Sequence, residues 1–110
     1  MDLLLGTLDM LVLRTLVFRP LHGYGIAKEI RNTSNEALDI EFGSLYPALK
    51  RLELKGWVAS AWDTSDNNRR AKFYRLTAAG RKRLAQEHSK WSDFVAAVTR
   101  VMGPAPGENS

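Results

Sequence analysis

The sequence predicts a mainly α fold that carries one small β-hairpin, on three observations. Apolar residues recur at helical spacing in four separate stretches. Between the third and the fourth, the run Trp57 to Trp62, the turn-forming residues Asp63 to Asn68 and a second run ending at Leu76 read as strand, turn and strand. The last stretch, from Thr77 to about Met102, is the longest, and Leu84, Trp91 and Val98 recur in it every seven residues as a coiled-coil-like seam.

The first helix is expected from Leu3 to Phe18, with one apolar stripe through Leu5, Leu8, Val12 and Leu16 and a second through Leu4, Leu11 and Phe18. Two such faces need cover on two sides, and a partner subunit is one source of it, which makes Leu5, Leu8 and Val12 candidate interface residues. Pro20 is expected to end this helix, since it lacks an amide hydrogen and disfavours helical geometry in Arg19. His22-Gly23-Tyr24-Gly25 opens a second helix reaching about Thr33, with Ile26 and Ile30 four apart and glycines that permit close approach of the backbone. Leu38, Ile40 and Phe42 then alternate with Asp39 and Glu41, which fits either a short strand or an extended lead-in to the next helix.

For the third helix the expected N-cap is Ser44, with Pro47 in the first turn, where its missing donor goes unused. Leu45, Leu49 and Leu52 face inward, which leaves Ser44, Tyr46, Lys50 and Arg51 outward, and Gly56 supplies a left-handed cap. In the hairpin one of the adjacent Phe73 and Tyr74 must face in and the other out, and Tyr74 is assigned outward; Trp57 and Trp62 are assigned to hydrophobic support. Thr77 caps the last helix, whose seam of Leu84, Trp91, Phe94, Val98 and Val101 is interrupted by Glu87. Residues 103–110, with Pro104, Pro106 and Gly107, are expected to be a disordered tail.

Composition excludes several chemistries. With no cysteine, disulfides, thiolate metal sites and thiol nucleophiles fall away, and neither His22 nor His88 has a second histidine at helical spacing for zinc. No carboxylate pair, serine motif or phosphate-cradling glycine loop stands out, so the expectation is no enzyme, no catalytic or metal site and no cofactor. Leu3-Leu4-Leu5 lacks a basic leader and a cleavage site, and no run of eighteen uncharged apolar residues occurs, so no membrane association and a cytoplasmic location are expected. The net charge is +4, but Arg69, Arg70, Lys72, Arg75, Arg81, Lys82 and Arg83 crowd one segment. On charge alone, such a cluster fits a polyanion partner and a solvated surface equally well.

Three helices, a hairpin and a further helix are the order of a winged helix-turn-helix domain with a long C-terminal helix. In that architecture the third helix is sized for the major groove and the hairpin reaches the backbone or minor groove. The segments Gly6-Thr7-Leu8-Asp9, His22-Gly23-Tyr24-Gly25, Gly43-Ser44-Leu45-Tyr46-Pro47-Ala48-Leu49, Arg51-Leu52-Glu53, Lys55-Gly56-Trp57, Arg69-Arg70-Ala71-Lys72-Phe73-Tyr74 and Leu76-Thr77-Ala78-Ala79-Gly80 follow one another in this order. Together they resemble the PadR family of transcriptional regulators over roughly residues 3 to 91, and the single C-terminal helix is similar to the family's short form. The resemblance implies a regulator, usually a repressor, that binds a palindromic DNA operator as a homodimer and leaves it when a small hydrophobic or phenolic inducer binds. It divides the chain into a DNA-binding domain over residues 1–77, a dimerisation helix over 78–102 and the tail.

Candidate DNA contacts are Tyr24, Ser44, Tyr46, Pro47, Lys50 and Arg51 on the helices and Asn67, Asn68, Arg69, Arg70 and Lys72 on the hairpin. Tyr24 has a core role as its alternative, and Arg51 an internal ion pair with Glu53 or another acid. Candidate dimer contacts are Leu5, Leu8, Val12, Leu84, Trp91, Phe94, Val98 and Val101. Trp91 is also a candidate ligand contact, against the plainer role of interface core. The competing function is a winged helix that binds another protein and no DNA.

Overall fold

Residues 6–107, described by the computed structural model, run through helix α1 (Thr7–Thr15), strand β1 (Leu21–His22), α2 (Gly23–Thr33), α3 (Phe42–Leu54), β2 (Val58–Thr64), β3 (Arg70–Leu76) and α4 (Ala78–Met102). This is the winged helix architecture, with a sheet of three antiparallel strands in the order β1-β3-β2. Leu5 lies outside the described residues. α1 ends at Thr15 instead of Phe18, because the Leu16 and Val17 amides turn back onto Val12, Leu13 and Arg14 carbonyls. That tightened turn keeps Leu16 in the core, and Pro20, four residues further on, is not what stops the helix.

α2 starts where the sequence puts it. His22 is its N-cap, and its Nδ1 accepts a hydrogen bond from the Gly25 amide at 3.0 Å. Residues 38–41 are an extended lead-in and not a strand, with Ile40 buried against the core. α3 begins earlier than Ser44: Glu41 is the N-cap, and both the Ser44 and the Leu45 amides donate to its carbonyl. Ser44 is therefore a residue of the first turn, and Pro47 lies in the second, where its ring removes the bond to the Gly43 carbonyl on an exposed face. Gly56, at φ 76°, does supply the left-handed stop.

The core gathers Val12, Leu13 and Leu16 of α1, Ile26 and Ile30 of α2, Leu45, Leu49 and Leu52 of α3, and Val58, Tyr74 and Leu76 of the sheet. Each buried leucine or isoleucine contributes about 1.5–3 kcal/mol. Val12 is 0% exposed, so it belongs to the chain's own core and leaves nothing for a partner; Leu8 and Leu84 are half-buried against the same core. The assignment of Tyr74 to the outside is corrected. Tyr74 is 6% exposed and shares a face of β3 with buried Leu76, two residues on. Phe73 points to the other face, where the His22 ring meets it edge-on at 5.1 Å because β1 pairs His22 with Phe73.

α4 is fixed at its start by three bonds. The Thr77 hydroxyl accepts from the Gly80 amide and donates to the Gly56 carbonyl, and the Thr77 amide donates to the Trp57 carbonyl. Gly80 passes so close to the Trp57 carbonyl that a Cβ would overlap it. The Trp57 ring beside this joint is met by the Lys55 ammonium and the Arg83 guanidinium, each 4.7 Å from its centroid.

Candidate nucleic-acid interface

With Leu45, Ala48, Leu49 and Leu52 turned to the core, the outward side of α3 carries Ser44, Tyr46, Pro47, Lys50 and Arg51, all exposed. A broad groove separates this helix and the start of α2 from the hairpin. Tyr24, Tyr46, Asn67, Arg69, Arg70 and Lys72 line it together, whereas Ser44, Pro47, Lys50, Arg51 and Asn68 lie outside it. Its cations are Arg19, Lys28, Arg69, Arg70 and Lys72, against the acids Glu29 and Asp66, which makes the wall positive.

The hairpin tip is a closed turn. Asn68 takes up the left-handed backbone at φ 59°, its amide donates to the Ser65 carbonyl, and the Ser65 amide donates to the Arg69 carbonyl at 2.7 Å. The Ser65 hydroxyl is within 2.5 Å of the Asn67 side-chain oxygen, so Asn67 is partly engaged within the turn. Arg70 lies over the exposed Trp62 ring, its guanidinium carbon 5.4 Å from the centroid. A guanidinium stacked on an aromatic face keeps its in-plane donors free for an oxygen ligand.

Two candidates are engaged by acids of the same chain. The Arg51 guanidinium donates to Asp9 of α1 at 2.9 Å, which realises the internal pair left open by the sequence, with an acid 42 residues away. Lys72 reaches Glu53 of α3 at 3.4 Å and lies over the Tyr74 ring. Glu53 also accepts from the Ser60 hydroxyl, and that bond, followed by Lys72, holds its carboxyl below the usual range against the opposing effect of burial. Burial raises the Tyr74 phenol above its ordinary value, with Lys72 opposing and Glu53 adding to the rise. Glu53 thus ties α3 to both long strands of the hairpin.

A family model of the transcriptional regulator PadR-like family matches residues 12–86. The chain belongs to this family. It is also 33% identical over 102 residues to an uncharacterised protein of Lysinibacillus sphaericus, covering 92% of this chain and 93% of that one. Among solved structures it resembles a transcriptional regulator from Clostridium thermocellum at 28% identity and a TM-score of 0.79, with 86% of this chain and 92% of that one covered. A PadR family regulator from Clostridium difficile is 28% identical with a TM-score of 0.75, covering 89% of this chain and all of that one. One from Eggerthella lenta is 33% identical with a TM-score of 0.74, covering 91% and 85%. As a PadR regulator the protein works on DNA and in transcription, not as an enzyme. Among the described residues no helix is long and apolar enough to cross a membrane.

The PadR fold brings side chains to this surface that sequence reasoning passed over. Lys28 lies one turn beyond Tyr24 and Asn32 one turn beyond Lys28, and all three line the groove, so the i, i+4 spacing from Tyr24 was the available signal. Trp62, assigned to support, is 59% exposed at the groove wall. On α4 the seam residues fare differently. Phe94 and Val98 are exposed, Val101 is 86% exposed, and Trp91 is half-buried with its ring 5.9 Å from that of Phe94. Trp91 and Phe94 line a crevice between α4 and the start of α1 with Gly6, Thr7, Met10, Glu87 and Lys90.

Proposed function

We propose that this PadR regulator is a homodimeric repressor of a palindromic operator, in which α3 reads the major groove and the hairpin grips the adjacent backbone or minor groove. The observation that carries the reading is the shared concave surface onto which Tyr46 of α3 and Arg69 and Arg70 of the hairpin open. Lys50, outside the groove on the exposed side of α3, makes no ion pair among the described residues and is free to donate to a base edge. Tyr24, at the exposed start of α2, is suited to a phosphate beside that helix's amides.

Dimerisation is supported by the uncovered row Phe94, Val98 and Val101 on α4, with Val95 and Met102 beside it, since a contiguous apolar stripe of this kind favours a partner helix. The division into a reading unit over residues 1–77 and a dimerisation helix over 78–102 follows from that. The crevice at Trp91 is apolar enough to accept a flat hydrophobic or phenolic inducer, whose arrival at the α1–α4 joint would change the spacing of the two reading units.

Fluorescence anisotropy with the DNA upstream of the protein's own gene tests the reading: binding should be nanomolar to sub-micromolar and weaken steeply with salt. Lys50→Ala should relax sequence preference, while Arg70→Ala should weaken every duplex alike and reduce the salt slope by about one. Binding that ignores salt would favour a protein partner instead.

A further inference from the structure

Gly23 is the first residue of α2, it is buried, and its backbone is not in the left-handed region. Nothing in the backbone therefore demands glycine there, and the demand comes from what lies on top. A Cβ built on Gly23 would stand 2.5 Å from the Tyr46 hydroxyl oxygen, 2.7 Å from Cζ and 2.9 Å from Cε1, all inside the closest approach that real side chains show. The hydroxyl end of the Tyr46 phenol thus sits directly on Gly23 at the start of α2. Gly43, in the first turn of α3, has open space at its missing Cβ, so close approach at Gly23 is a property of that position and not of glycines in this pair of helices.

The seated ring is not a core residue. Tyr46 is 49% exposed, the Phe42 ring stands 5.9 Å from its own, and it opens onto the groove shared with Arg69 and Arg70. A phenol on a helix has two rotatable side-chain torsions, and a base contact needs both held. We infer that Gly23 is a positioning residue for sequence recognition: its missing side chain provides the seat that holds the Tyr46 phenol in the orientation from which it contacts a base. Gly23 touches no DNA and acts through Tyr46 alone. The inference rests on the DNA-reading role of α3.

A double-mutant cycle on the full chain tests it. The probes are the duplex that the wild-type protein enriches from a random-sequence library and a scrambled copy, and the readout is the ratio of the two affinities with its salt dependence. Gly23→Ala should lower the ratio about tenfold, the size of one lost base contact, and leave the salt slope unchanged because no phosphate contact is touched. Tyr46→Ala should do the same, and adding Gly23→Ala to Tyr46→Ala should change the ratio less than about twofold. An unchanged ratio in Gly23→Ala, or an equal further loss in the Tyr46→Ala background, would overturn the inference. Should Gly23→Ala fold too poorly to assay, the double variant is expected to melt with Tyr46→Ala, since removing the ring removes the clash; a double variant as unstable as Gly23→Ala would overturn it. Wild-type protein that enriches no duplex would refute the DNA reading itself, a result distinct from failure of the cycle.

Discussion

Gly80→Ala isolates the joint between the hairpin and α4. Replacing a helical glycine by alanine ordinarily stabilises by up to about 1 kcal/mol. Here the added methyl group would overlap the Trp57 carbonyl oxygen and stand 2.7 Å from Leu76 Cδ1. Leu76 can rotate away, but the carbonyl cannot, because it is backbone and accepts the Thr77 amide at 3.1 Å. α4 must therefore shift outward, which lengthens that hydrogen bond, worth about 1 kcal/mol, and loosens the packing of Leu76 and Leu84. Overpacking of this sort costs about 1–3 kcal/mol. With the propensity gain set against it, the net loss is about 2 kcal/mol.

For a chain of this length that loss lowers the melting midpoint by roughly 8–16 °C. Thermal unfolding followed by circular dichroism at matched protein concentration reads it, the match being needed because the midpoint of the proposed dimer depends on concentration. Gly43→Ala, where the space is open, serves as the control and should match or exceed wild type. A Gly80→Ala protein as stable as Gly43→Ala would show that the joint is soft and refute the close-approach argument.

Three further outcomes are expected. Glu53→Gln should cost about 1 kcal/mol in urea unfolding near neutral pH, a small value because the side chains of Glu53 and Lys72 are each about one third exposed. Since the folded state holds the Glu53 carboxyl below its ordinary 4.5, the wild type's advantage is present above that value, is lost as pH falls through the lowered one, and should be absent in strong acid. Phe94→Asp combined with Val98→Asp should give a monomer by light scattering with unchanged helix content, both side chains being exposed, and weaken operator binding by at least about 100-fold. Asp9→Asn releases Arg51 and removes a negative charge from beside α3, so binding to any duplex should tighten and the salt slope should grow by about one.

The helices were legible because their periodicity is long: Ile26 and Ile30 set the buried side of α2, and Leu45, Leu49 and Leu52 that of α3. β1 was not, because two residues make no pattern, and its partner strand β3 lies about fifty residues further along the chain. Parity could have settled Phe73 against Tyr74, since Leu76, two residues after Tyr74, is an evident core residue and strand neighbours at that spacing share a face. Ser44 has the side chain of an N-cap, but the helix begins two residues earlier at Phe42, with Glu41 as its cap beside buried Ile40.

The site was harder to read than the fold for a different reason. Local charge density marks where cations are, not which are unengaged. Of the basic cluster, Lys72 is held by Glu53, Arg81 donates to the Val17 carbonyl, and Arg83 pairs with Glu87 while covering Trp57. The i, i+4 pair of Arg83 and Glu87 is one that helical spacing anticipates, but Glu53 and Val17 come from other elements, Val17 from 64 residues away, and no spacing rule anticipates those two. What remains for a polyanion on the groove wall is Arg69 and Arg70, joined by Lys28 from a helix that the charge run never included. Counting phosphates from the sequence alone would thus overstate the salt dependence of binding, and a measured slope matching these few cations instead of the whole cluster is what the folded arrangement requires.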